Sequence, residues 1–194
     1  MNSMRSAGVI WLAGAAVYLV GEAVTATGMQ GYSYLADYIS DLGVSGLMNR
    51  AFMLHGALFL IGAILATRSD SAGWIGRVFV VAAALNAVGN IGVGGFQSGA
   101  TAHVVGAGLA IIGANVAVIL GGLGSRTVGA SRTFRVVSIA LGVTGLVCLA
   151  VLVVDGVDGA TLPVGLVERG AVYPIIAWEV MAGVALVRPR RSVA

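Results

Sequence analysis

Thr101-Ala-His-Val-Val-Gly-Ala-Gly-Leu-Ala-Ile-Ile-Gly-Ala-Asn-Val-Ala-Val-Ile-Leu-Gly-Gly-Leu123 runs for 23 residues without one charged side chain. A helix of that length rises about 34 Å at roughly 1.5 Å per residue, enough to cross a hydrocarbon core of about 30 Å. Runs of the same kind, bounded by Arg, Pro, Gly-Ser or Asp clusters, recur at 8–28, 48–66, 74–93, 134–154 and 168–187. The expectation is an all-α polytopic membrane protein, a bundle of six transmembrane helices that forms a single domain over 1–194. Short polar connections at 67–73 and 124–133 make consecutive helices antiparallel neighbours.

Composition agrees with this reading. The chain has 194 residues, 58% hydrophobic and 10% charged, where a soluble domain carries about 25% charge. The 30 glycines are spread through the apolar stretches instead of clustering in linkers, as expected where helices approach closely in a membrane. All 11 basic residues are arginine. They form no basic stripe with interleaved aromatics, which excludes a nucleic-acid footprint. Cys148 is the only cysteine, so an intrachain disulfide and a CxxC motif are both excluded. Arg5 followed by an apolar stretch also has the layout of a signal peptide. Val24-Thr25-Ala26 is a poor cleavage site, however, and the segment reads as a retained first span.

Arginine placement sets the orientation, because basic residues accumulate on the cytoplasmic side. With the N-terminus inside, Arg5, Arg68, Arg77, Arg126, Arg132, Arg135, Arg188, Arg190 and Arg191 fall on one side, against Arg50 and Arg169 on the other. Both termini are therefore expected in the cytoplasm of a cell-membrane protein. The acids run the other way: Glu22, Asp37, Asp41, Asp155, Asp158 and Glu168 gather at the outer face, with Asp70 inside and Glu179 near the midplane.

The longest outer connection, residues 29–46, sorts onto two faces at 100° per residue. Tyr34, Leu35, Tyr38, Ile39 and Leu42 share one, while Asp37, Ser40 and Asp41 share the other. The pattern predicts a short interfacial helix, stopped at Gly43, with Asp37 and Asp41 either solvated or overhanging a site at the outer ends of the bundle.

Inside the bundle, His55, His103, Glu22, Asn49, Arg50 and Asn90 are expected in one outer stratum. Ionisable side chains there are costly and face the bundle interior or water. No HExxH, no HxxxH and no histidine-containing ligand pair at i,i+4 exists, so neither a metal nor a haem is expected, and no cofactor. Glu179 is expected near the midplane, protonated or paired, with Asn86 and Asn115 as hydrogen-bonding candidates. Ser138 and Thr144 are expected to bond within their own helix. Gly92-Val-Gly94-Gly95 follows a helix, not a strand, and reads as a turn into the next loop instead of a phosphate cradle. Segments 57–63 and 108–114 look alike at an offset of 51, a hint of repeated helical hairpins.

Four stretches carry a family likeness: Tyr38-Ile-Ser-Asp-Leu-Gly43, Met48-Asn-Arg-Ala-Phe52, Gly94-Gly-Phe96 with His103 and Gly106, and Gly165-Leu-Val-Glu-Arg-Gly170 followed by Tyr173-Pro174 and Trp178. Through them nearly the whole chain resembles the Domain of Unknown Function 998 family, six-helix integral membrane proteins of bacteria and archaea. The resemblance implies the fold and no activity. It singles out Ser40, Asp41, Asn49, His103, Glu168 and Arg169, and the physical argument adds His55 to these binding candidates. Gln97-Ser-Gly-Ala departs from the more acidic or Pro-containing loop expected before the histidine.

The leading expectation is a polar site near the outer face that binds membrane lipid, a membrane-protein partner or a second copy of the chain. A rival is an intramembrane enzyme acting on a lipid or isoprenoid, with Asp41, His103 and Glu168 as catalytic acid and base groups. A third is a small transporter with Glu179 at its midplane site. The orientation makes a direct prediction: a reporter active only outside the cell gives signal when fused at Gly46 and none at Gly129. An outward signal from Gly129 overturns it.

Overall fold

The computed structural model describes residues 3–68, 73–125, 130–158 and 161–188, without the side chains of 156–158. Asp70, Arg126, Gly129, Arg190, Arg191 and the side chain of Asp158 lie outside the described residues. Six helices follow one another: α1 (Ser3–Gly28), α2 (Gly46–Ala66), α3 (Gly73–Gly95), α4 (Thr101–Gly124), α5 (Arg132–Asp158) and α6 (Val164–Val187). A 3-10 helix, Ile39–Val44, interrupts the first loop. All six helices are long and apolar enough to cross a bilayer, and the chain is a multi-pass membrane protein.

Local chemistry explains where the helices begin. The Ser45 hydroxyl accepts the Met48 amide at 3.2 Å, an N-cap that starts α2 at Gly46 and not at Met48. Pro163 precedes α6 with φ −68°, preset for a helix start, so α6 opens at Val164 and Glu168 lies inside it.

Each helix packs on the next in sequence, and α6 returns to α1 to close a ring. Only 17% of the apolar window of α5 is buried, against 39% or more in the other five, so α5 lies outermost. Trp11, Phe59, Phe79 and Trp178 cluster in one half of the bundle. Tyr18, Phe52, Met48, Val93, Ile39 and Leu42 fill the half nearer the first loop. Buried polar hydrogens find partners: Trp178 Nε1 donates to Ser138 Oγ at 3.0 Å, and Ser138 donates back to Phe134 O at 2.8 Å, within its own helix. Pro174 interrupts the α6 ladder. Beside it, Asn115 Nδ2 donates to Ala171 O at 3.0 Å and to Ile111 O at 2.9 Å.

Two expectations are corrected here. Residues 92–95 are helical, the last turn of α3 and not a turn into the loop; the α3 glycines serve close packing. A Cβ on Gly89 would collide with the Ala110 backbone, and one on Gly106 would lie 2.9 Å from Gly89 O. The short helix expected in the first loop is present as the 3-10 helix Ile39–Val44, but it does not extend back to Tyr34. Ser33 N donates to Asp37 Oδ2 at 2.7 Å and Tyr38 N to Asp41 Oδ2 at 3.1 Å, and these side-chain turns compete with helix. The helical part shrinks to the 3-10 turn, whose Ile39 and Leu42 are buried, while Tyr34 and Leu35 stay exposed.

The α3–α4 contact gives a stability prediction. Gly89→Ala overpacks the contact and destabilises by about 1–3 kcal/mol, whereas Gly108→Ala, with open space around it, does not. Thermal unfolding of the two purified variants in detergent checks this; equal midpoints contradict the packing.

Candidate functional site

The first loop is fastened to the start of α6. Leu166 N donates to Leu35 O at 3.1 Å, and Ile39 N donates to the Glu168 carboxylate. Gly165 makes this contact possible, since a Cβ there would collide with Asp37 O and lie 2.8 Å from Tyr34 O. Arg169 completes the fastening. Its Nη1 donates to Tyr34 O at 2.7 Å, Gly165 O at 3.0 Å and Asp37 O at 3.2 Å. Its Nη2 donates to Tyr32 Oη at 2.6 Å and Glu22 Oε1 at 2.8 Å, and its Nε to Glu22 Oε1 at 3.1 Å.

A guanidinium has five N–H donors, and all of them end on the protein. Tyr173 Oη lies 3.1 Å from both Glu22 oxygens, and the Tyr34 ring centroid lies 4.5 Å from the guanidinium carbon, within cation–π range. Burial pushes the Tyr32 phenol above its ordinary pKa. It therefore stays protonated and donates to Tyr38 O at 3.0 Å while accepting from Arg169.

Beneath the 3-10 helix lies a cavity of about 50 Å³, room for a few water molecules or a small polar group. Tyr18, Ser40, His55, Asn86, Asn90 and Glu168 supply its polar lining; Ile39, Phe52, Val93, Ala107, Ile111 and Val172 are among its apolar walls. Asn86 donates to Ala110 O at 2.9 Å, leaving its buried Oδ1 without a partner. His55 Nε2 lies 2.8 Å from Glu179 Oε2, and its Nδ1 is likewise buried and unpartnered. Buried polar atoms without partners are rare and call for an explanation.

The structure thus corrects the partner expected for Glu179, which pairs with His55, while Asn86 and Asn115 bond backbone carbonyls. His55 lies about 13 Å along α2 from Gly46, deeper than the outer stratum expected for it. Of Asp41, His103 and Glu168, only Glu168 lines this cavity. Asp41 accepts from Ser98 Oγ at 3.1 Å, joining the 3-10 helix to the α3–α4 loop. His103 Nδ1 lies 3.0 Å from Phe96 O, and its Nε2 is buried without a partner. Ser40 and His55 line the cavity with Glu168, whereas Asn49 packs against Gly43 with its Oδ1 buried and unpartnered. Arg169 acts on the loop. Among the described residues no group of three or more His, Cys, Asp or Glu could hold a metal.

Sequence reasoning missed Tyr18 and Tyr32, and named Tyr173 in a family-like stretch without giving it a role. Tyr32 lies close to the family-like segment that starts at Tyr38, a signal that could have drawn attention to it. Tyr18 sits in a plain apolar run and gave none.

Removing one partner of a buried ion pair costs about 3–5 kcal/mol, so Arg169→Met is expected to unfold at markedly lower temperature. Arg169→Lys recovers only part of the loss, having three donors in place of five, while Arg50→Met at an exposed position is neutral. Thermal unfolding of all three in detergent checks the ranking. A wild-type midpoint for Arg169→Met would mean that the loop is held by something else.

No match to a curated protein or to a solved structure was found. The two segments that meet at this site, 38–43 and 165–170, are the distinctive stretches of the sequence, and both fall within the region, residues 12–185, that matches the family described as Protein of unknown function (DUF998). The match covers most of the chain, and the chain belongs to this family.

Proposed function

We propose that the protein binds the polar end of a membrane amphiphile in the cavity beneath the first loop, from the outer leaflet. The observation that carries this reading is a mostly apolar cavity with a few converging polar groups, two of them buried and unpartnered: His55 Nδ1 and Asn86 Oδ1. Small-molecule sites have this make-up.

The lining also selects the ligand. Glu168 is its one carboxylate, and no lysine or arginine lines it. The nearby guanidinium of Arg169 has every donor engaged. A phosphate head would meet a carboxylate and no free cation, at a cost in desolvation and like-charge repulsion. An ammonium or hydroxyl head brings the donors that Glu168, Asn86 Oδ1 and Ser40 can accept.

Decylamine, 1-decanol and decyl phosphate test this. A ligand at 100 times its Kd stabilises the folded protein by about 2.7 kcal/mol, so thermal unfolding in detergent reads binding. Decylamine and 1-decanol are expected to raise the midpoint and decyl phosphate to leave it unchanged. In Glu168→Gln the decylamine shift falls while the decanol shift stays. Stabilisation by decyl phosphate equal to that by decylamine, or by none of the three, overturns the proposal.

A further inference from the structure

We infer that His55 relays protons between the cavity and Glu179, so that Glu179 is a buried proton-binding site reached through the cavity. Glu179 is fully buried and does not line the cavity; His55 lines it and touches Glu179. The imidazole is therefore the connecting group, and only one of its two nitrogens is engaged by the protein. The Nε2–Cδ2 edge is occupied: Nε2 lies 2.8 Å from Glu179 Oε2, and a Cβ on Gly14 would lie 3.8 Å from Cδ2 and 3.2 Å from Glu179 Oε1. Nδ1 is on the opposite edge, buried and without a protein partner. His55 lines the cavity, whose volume admits water.

The step balances with no co-reactant. In the unloaded state neutral His55 carries its proton on Nε2 and donates to the Glu179 carboxylate. A proton from the cavity bonds to Nδ1, the Nε2–H bond breaks, and that proton passes to Glu179 Oε2. His55 is left neutral with its proton on Nδ1, and Glu179 is a neutral acid donating to Nε2. The pair changes from a net charge of minus one to zero, and release is the reverse. Nδ1, the nitrogen without a protein partner, thereby changes from a lone pair to an N–H.

Few other charges bear on the pair. From α1 it meets Tyr18, whose ring centroid is 5.1 Å from that of His55, with Glu22 beyond, neutralised by Arg169. Of the polar residues that line the cavity with His55, α6 contributes Glu168, α3 contributes Asn86 and Asn90, and the 3-10 helix contributes Ser40, which Asp41 follows in sequence. The described α4 residues at the cavity, Ala107, Ala110 and Ile111, carry no titratable group.

The inference stands independently of the amphiphile. It is tested on the full chain reconstituted in phosphatidylcholine vesicles, by infrared difference spectroscopy of the protonated carboxyl stretch after transfer from H₂O to D₂O. The Glu179 band is assigned by its disappearance in Glu179→Gln. In the wild type it is expected to exchange readily. In His55→Gln, which keeps a donor to Glu179 but cannot pass a proton through its side chain, exchange slows by on the order of 100-fold, the scale of a positioned proton-transfer group. Ala107→Leu leaves both members of the pair intact, fills the cavity with apolar volume, and slows the same exchange; it carries the test if His55→Gln fails to fold. Exchange as fast as wild type in a folded variant, or a wild-type band that never exchanges, overturns the relay.

Discussion

Arg169 is a buried cation in a membrane-spanning helix, and a charge there is tolerated only when it is neutralised and every donor is satisfied. Glu22 of α1 supplies the opposite charge at 2.8 Å. The backbone of the first loop and Tyr32 supply most of the rest. One side chain therefore ties α6 to α1 at the closing seam of the ring and draws the loop across the end of the bundle. The loop held in this way presses Ile39 and Leu42 into the core, and the space left beneath them is the cavity. Without this pair the cavity roof keeps only the Leu166–Leu35, Ile39–Glu168 and Ser98–Asp41 hydrogen bonds and the packing of Ile39 and Leu42, because the loop has only a six-residue 3-10 helix of its own.

The same constraint determines the chemistry underneath. Because the guanidinium is engaged by the protein, the cavity is left with acceptors and switchable groups and no free cation. Glu168 serves both structures: one carboxylate oxygen accepts from Ile39 N in the roof, while the residue lines the cavity. At the far side His55 and Glu179 continue the polar column into the core, among Trp11, Phe59 and Trp178. This column of polar groups ends on a buried acid, in a bundle whose described core is otherwise mostly alanine, aliphatic and aromatic side chains.

The six helices were legible because a span is a property of consecutive residues: the run from Thr101 to Leu123 declares itself without reference to any other part of the chain. Contacts between helices are not of that kind. The pairing of Glu179 with His55 joins residues 124 apart, and counting residues from an expected helix start at Met48 placed His55 too shallow. In the first loop a short helix was legible but its extent was not, for a local reason. A 3.6-residue period groups Tyr34, Leu35 and Tyr38 with Ile39 and Leu42, but Ser33–Asp37 and Tyr38–Asp41 side-chain turns break the helix that the period assumes. Glu168 and Arg169 were singled out in the sequence without distinct roles. Their division of labour, one lining the cavity and the other holding its roof, depends on which donors are already engaged, and that is written only in three dimensions.

The central claim is that the cavity beneath the pinned loop is where an amphiphile's polar end resides. Photolabelling with a decylamine that carries a diazirine beside its amine, followed by mass-spectrometric mapping of adducts on the reconstituted protein, tests it most directly. The account predicts adducts on Phe52, Val93, Ile111 and Val172, suppressed by excess decylamine and by Glu168→Gln. Adducts confined to exposed valines of α5 such as Val143 and Val147, insensitive to both, would contradict it.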